Sequence, residues 1–97
     1  MSKFANILTI DVAPGWRRDQ VVALLLAHKA RLKDEPGILQ FEVLLPRNDD
    51  AKVLVYQMYR DAAAFQEHLS GPSVAQWKAE ATGMLAMLQG MRCAVVD

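Results

Sequence analysis

Between Asp34 and His68 the chain spells out a helix end, a tight turn, two strands and a helix start, and that order leaves few folds open. Proline after Glu35 biases that residue away from helix, and Gly37 is able to supply the positive φ of a tight helix-to-strand turn. Asp61 is a good N-cap for a helix that opens with Ala62-Ala63-Ala64. On that helix Phe65 and His68 are spaced to share one face, which carries an imidazole to the sheet side.

The flanking segments complete the pattern. Lys3 to Val12 alternates, with Phe4, Asn6, Leu8, Ile10 and Val12 on one face and Ala5, Ile7, Thr9 and Asp11 on the other. After Pro14-Gly15, the residues Val21, Leu24, Leu25, His28 and Leu32 recur at helical spacing, which predicts a helix from Trp16 to Asp34. Ile38 to Leu45 alternates with Leu39, Phe41, Val43 and Leu45 on one face, and Lys52 to Arg60 returns as its hairpin partner. In that return strand Val53 and Val55 oppose Leu54, Tyr56 and Met58, so both faces expect cover.

Gly71-Pro72 stops the short helix after Ser70. A further helix follows, with Val74, Trp77, Ala81, Met84, Leu85 and Leu88 in register and Gly83 weakening it without ending it. Gln89-Gly90 reads as a turn, and Met91 to Val96 as a last strand. The order is β-α-β-β-α-α-β, an α+β ferredoxin-like pattern in one domain spanning residues 1–97.

A chain this short buries only roughly two-thirds of its unfolded surface, yet 53% of it is hydrophobic. That excess points to a partner subunit over the second sheet face, to an apolar pocket, or to both. Eleven basic and eleven acidic residues are scattered and cancel, which argues against nucleic acid as a partner. No apolar run reaches membrane-spanning length and no signal-type segment opens the chain, so cytoplasmic residence is expected. The lone Cys93 reads as a small buried hydrophobe in the last strand. No close pair of histidines or cysteine cluster offers metal-ligand spacing, so no metal is expected.

Several side chains stand out from this frame. His28 interrupts a leucine-rich stripe, and is either a core histidine bonded to a carbonyl or tyrosine, or a base that titrates near neutral pH. His68, read from its position alone, is a half-exposed residue near a helix C-terminus, where the dipole favours its charged form. Asn6 shares its strand face with Phe4 and Leu8, where a buried amide is paired or aimed at a ligand. Tyr56 and Tyr59 differ in parity, so only one of them faces any given side. Trp77 with Met84 offers a flat apolar wall for an aromatic ligand or ordinary core packing.

Ile7-Leu8-Thr9-Ile10 followed by Pro14-Gly15, Glu35-Pro36-Gly37 opening the strand Ile38 to Val43, Tyr56 to Asp61, and Ala64-Phe65-Gln66-Glu67-His68 together resemble the antibiotic biosynthesis monooxygenase family. The resemblance spans nearly the whole chain. It implies a homodimeric α+β barrel that mostly works without a cofactor, a histidine after the Ala-Phe pair at the pocket mouth, and a first-strand polar residue, here Asn6, holding a substrate oxygen. Two departures matter: Gln57 is neutral where many members place a glutamate, and the approximate haem-ligand position holds Trp77, which argues against haem.

The expected activity is therefore oxidation of a quinol or hydroxyaromatic by dioxygen without metal or flavin. His28 or His68 is the base, Asn6 the oxyanion donor, and Phe65, Trp77, Tyr56, Tyr59 and Met84 the substrate contacts. Two other readings keep the fold: isomerisation of a small hydroxycarbonyl compound through the same imidazole, and a non-catalytic dimer that binds a small apolar ligand.

Overall fold

The computed structural model describes residues 2–96. Four strands, β1 (Phe4–Val12), β2 (Ile38–Leu44), β3 (Lys52–Tyr59) and β4 (Leu85–Ala94), form one antiparallel sheet in the order β2-β3-β1-β4. Three helices, α1 (Arg18–Leu32), α2 (Ala62–Leu69) and α3 (Pro72–Glu80), complete a ferredoxin-like β-α-β-β-α-α-β chain. The side chains beneath them come from one parity of each strand, including Ile10 and Val12 of β1, Phe41 of β2, and Val53 and Val55 of β3. Onto these α1 lays Val21, Leu25 and Leu32, all nearly inaccessible to solvent, each contributing about 1.5–3 kcal/mol of burial. His28 lies on that same stripe and is buried with it.

Local chemistry explains the element ends. Helix α1 starts two residues later than the apolar pattern predicts, because Arg17 is extended and acts as N-cap while Gln20 Oε1 accepts its backbone N–H at 2.7 Å. Asp61 caps α2 as its sequence predicts, accepting from the Ala64 N–H at 2.8 Å. Gly37 does not take a positive φ. It is small for another reason: a Cβ there would lie 2.6 Å from that of Ala64, so this glycine lets α2 close onto the turn.

Two strand readings are corrected. A register shift between Ile38 and Gln40 makes Leu39 an extra residue in β2, so Ile38 packs inward and Leu39 is half exposed. The helix carrying Trp77 ends at Glu80, and Gly83, with φ +83°, turns the chain into β4 six residues earlier than the sequence pattern suggests. Met84, Leu85 and Leu88 therefore do not continue the Trp77 face: Met84 sits in the turn as a core residue, and Leu85 and Leu88 belong to β4. Gln89 and Gly90 are inside that strand, not at a turn.

The opposite sheet face carries no helix. Ile7, Leu44, Met87 and Met91 are exposed there, and Leu54, Tyr56 and Met58 of β3 are half covered. Cys93, paired with Ala5 on that face, is partly exposed and not the buried residue expected. Among the described residues no helix is long and apolar enough to cross a membrane.

Candidate active site

Between the helical layer and the β1–β4 half of the sheet lies a cavity of about 310 Å³. Its floor follows from strand register: Asn6, Leu8 and Ile10 pair with Arg92, Gly90 and Leu88, so each set points to the covered side. Leu8, Leu88, Asn6 and Arg92 line the cavity directly. Gly90 leaves the floor open, since a Cβ there would come 3.1 Å from Asn6 Oδ1 and 3.3 Å from Leu8 Cδ2. His28 of α1, Phe65 and His68 of α2 and Trp77 of α3 form the opposite wall.

The two histidine rings stand 5.4 Å apart between centroids, in different settings. His28 packs edge-on against Phe41 at 5.5 Å and lies 6.3 Å from Trp77. Burial, reinforced by His68 and by the positive charge of Arg31, pushes it down to about 4, so at neutral pH it is an uncharged imidazole. His68 instead meets a carboxylate: its Nδ1 is 3.2 Å from Glu35 Oε2, while Ser73 Oγ donates to Glu35 Oε1 at 3.0 Å. A carboxylate on Nδ1 fixes that nitrogen as the N–H and leaves the lone pair on Nε2. The His68 ring is thus oriented by a carboxylate 33 positions away in sequence.

A second network holds the amide of Asn6. Gln57 Oε1 accepts from Tyr59 Oη at 2.6 Å and from Asn6 Nδ2 at 3.3 Å. Burial, with Glu35 nearby, pushes the Tyr59 phenol up, which keeps it a neutral donor. Asn6 Nδ2 spends one of its two N–H groups on Gln57, and Asn6 Oδ1 has no hydrogen-bond partner among the described residues. Three buried polar atoms of wall residues lack a hydrogen-bond partner among the described residues: Asn6 Oδ1, His28 Nδ1 and Trp77 Nε1. Each group left unpaired in a buried site costs about 1–3 kcal/mol, so these three atoms are open to a polar partner from the cavity.

Of the residues singled out from sequence, the fold brings Asn6, His28, Phe65, His68 and Trp77 to one cavity. It does not bring Tyr56, Tyr59 or Met84 there. Tyr56 lies on the uncovered sheet face across from Ile7. Tyr59 has the right parity but is sealed in a second cluster with Phe65 and Ala64. Met84 packs in the main core after the turn at Gly83. Four contributors were missed: Glu35 and Ser73 behind His68, and Lys78 and Arg92 on the wall. For Arg92 a signal existed, since Leu88, Gly90 and Arg92 alternate once β4 is allowed to start at Leu85.

Set beside known proteins, residues 3–80 match the family model described as antibiotic biosynthesis monooxygenase. The match covers most of the chain, and the protein belongs to that family. A Pseudomonas aeruginosa structure is similar with TM-score 0.89 at 22% identity, over 100% of this chain and 97% of that one. A Caulobacter crescentus protein described as a candidate antibiotic biosynthesis monooxygenase gives 0.90 at 17% identity, over 99% and 92% of the two chains. A Chloroflexus aurantiacus protein of the same description gives 0.83 at 23%, over 99% and 95%. Likeness at these identities establishes the fold. No functionally curated protein matches the chain.

Proposed function

We propose that the protein is a cofactor-independent monooxygenase that oxidises a quinol or hydroxyaromatic compound with dioxygen. The observation that carries this reading is the His68–Glu35 pair, which sets the His68 imidazole into the wall of a cavity bounded by Phe65 and Trp77. A volume of about 310 Å³ sits at the small end of ligand pockets, which run roughly 300–1,000 Å³, and suits a molecule of one or two rings. Family membership supports the same reading.

The chemistry needs little from the protein beyond proton removal and a dry setting. His68 Nε2 takes the hydroxyl proton, and Glu35 stabilises the imidazolium that forms. The resulting electron-rich anion reduces dioxygen itself, the carbon–oxygen bond forms, and loss of water leaves a quinone. One oxygen atom enters the product and the other leaves as water. Trp77 Nε1–H, an unpaired buried donor of the cavity wall, stabilises the developing oxyanion, and Asn6 Oδ1 accepts from a substrate hydroxyl. His28, whose imidazole burial holds down to about 4, is given a packing role beside the substrate ring in this proposal.

The functional unit we propose is a homodimer in which two uncovered sheet faces pack together, burying Ile7, Leu44, Met87 and Met91. A panel of quinols and hydroxyaromatics, followed by oxygen electrode under air and by product mass spectrometry under air and nitrogen, tests the activity. Oxygen-dependent turnover abolished in His68→Ala is expected. Product formation that persists under nitrogen would instead assign an isomerase, and ligand binding without turnover a binding protein.

A further inference from the structure

The cavity wall is charged in one sense only. Arg92 and Lys78 line it, and among the described residues no aspartate or glutamate does. The remaining polar lining residues, Asn6 and Gln57, are neutral amides, alongside the two histidines. Glu35 stands behind His68 and is not part of the wall. The whole chain carries a formal net charge of zero, so this concentration of positive charge is local to the cavity.

Arg92 is held in place without being neutralised. It lies across from Asn6 in the β1–β4 register, on the covered side, and its guanidinium sits 5.1 Å from the centre of the Phe65 ring. Phe65 in turn stacks on Phe4 at 4.7 Å, which fixes the platform. Neither Arg92 nor Lys78 forms an ion pair among the described residues. Lys78 follows Trp77 directly on α3, so it borders the indole wall.

We infer that the aromatic substrate of this cavity carries a carboxylate, and that Arg92 and Lys78 receive it at the rim while the ring lies against Phe65 and Trp77. An exposed guanidinium resting on an aromatic face has its fork of donors free for a carboxylate. A neutral ring of the same shape would keep the apolar contacts and lose the charged ones. The inference rests on the reading of the cavity as the site of an aromatic substrate, and it adds which members of that class the site selects.

The test is calorimetric titration of the intact protein with a hydroxynaphthoate and with the matching hydroxynaphthamide, which differ in charge and little in shape. The acid should bind about ten-fold or more tightly than the amide, the gap that charged hydrogen bonds confer. In the R92Q/K78Q double variant the gap should fall below about three-fold while amide affinity is retained, because both side chains are solvent-exposed. Equal affinity for acid and amide, a gap that survives in the double variant, or no binding of the acid overturns the inference. Oxygen uptake with a neutral naphthohydroquinone and its carboxylated analogue separates this from the activity itself. Equal kcat/KM for the two sinks the carboxylate and leaves the oxygenase standing, whereas preferential binding of the acid without any oxygen uptake does the reverse.

Discussion

Replacing Glu35 with glutamine isolates the electrostatic part of the proposed base. Glu35 Oε2 lies 3.2 Å from His68 Nδ1, a separation at which opposite unit charges attract by about 5 kcal/mol in a surface-like dielectric of about 20. The carboxylate side chain is 35% exposed, so water screens part of that attraction and about 1.5–3 kcal/mol remains. This energy is felt only when the imidazole is charged, which in the proposed reaction means after it has taken the substrate proton. Glu35→Gln should therefore lower kcat by ~10–100-fold with KM nearly unchanged, the signature of a transition-state interaction. His68→Ala sets the ceiling, at ~10²–10⁴-fold. Steady-state oxygen uptake gives the rates, and circular dichroism melts establish how much of each variant is folded. Undiminished turnover per folded Glu35→Gln molecule would refute the base assignment, as would a fall in melting temperature that accounts for the whole loss.

Three further outcomes follow from other parts of the molecule. Because the folded state holds His28 at about 4 against an ordinary 6.5, the unfolded chain binds its proton first, so stability is full above pH 6.5 and falls by about 3 kcal/mol as pH drops toward 4. His28→Leu should flatten that part of the denaturation profile, and a profile identical to the parent's would show that His28 is not the cause. Gly90→Ala places a methyl 3.1 Å from Asn6 Oδ1 at the cavity floor, so ligand affinity should fall by about five-fold or more at a stability cost near 1 kcal/mol; calorimetry showing unchanged affinity counts against this floor. The parent should sediment at twice its 10.8 kDa chain mass and Met91→Lys as a monomer, whereas a parent that is monomeric at all concentrations contradicts the sheet-to-sheet dimer.

The element order of the arc from Asp34 to His68 was legible because a proline, an aspartate cap and strand alternation act within a few residues of where they stand, whereas the φ of Gly37 and the bulge at Leu39 depend on how α2 and β3 meet the turn. The α3–β4 boundary was not. Trp77, Ala81, Met84, Leu85 and Leu88 satisfy a helical repeat by coincidence, and what breaks it is one glycine whose backbone the turn sets at φ +83°. Parity correctly separated the faces of Tyr56 and Tyr59, yet a face is not a position, and Tyr59 ends at the far end of β3 among Phe65 and Ala64. The contact between Glu35 and His68 depends on how α2 and α3 dock over the turn after α1, and sequence spacing carries no trace of it. Seen alone, Glu35 was only the residue before a proline.

Use of dioxygen on a bound hydroxyaromatic is the step on which the proposed function stands or falls. Its most direct measurement is turnover of a responsive quinol or hydroxyaromatic under isotopically heavy oxygen gas, with the purified protein treated with chelator beforehand and the product mass read at once. One heavy oxygen atom per product molecule, formed at a rate that His68→Ala reduces by ~10²–10⁴-fold, is the predicted result. Product that carries only solvent oxygen, or that forms equally fast with His68→Ala, contradicts it.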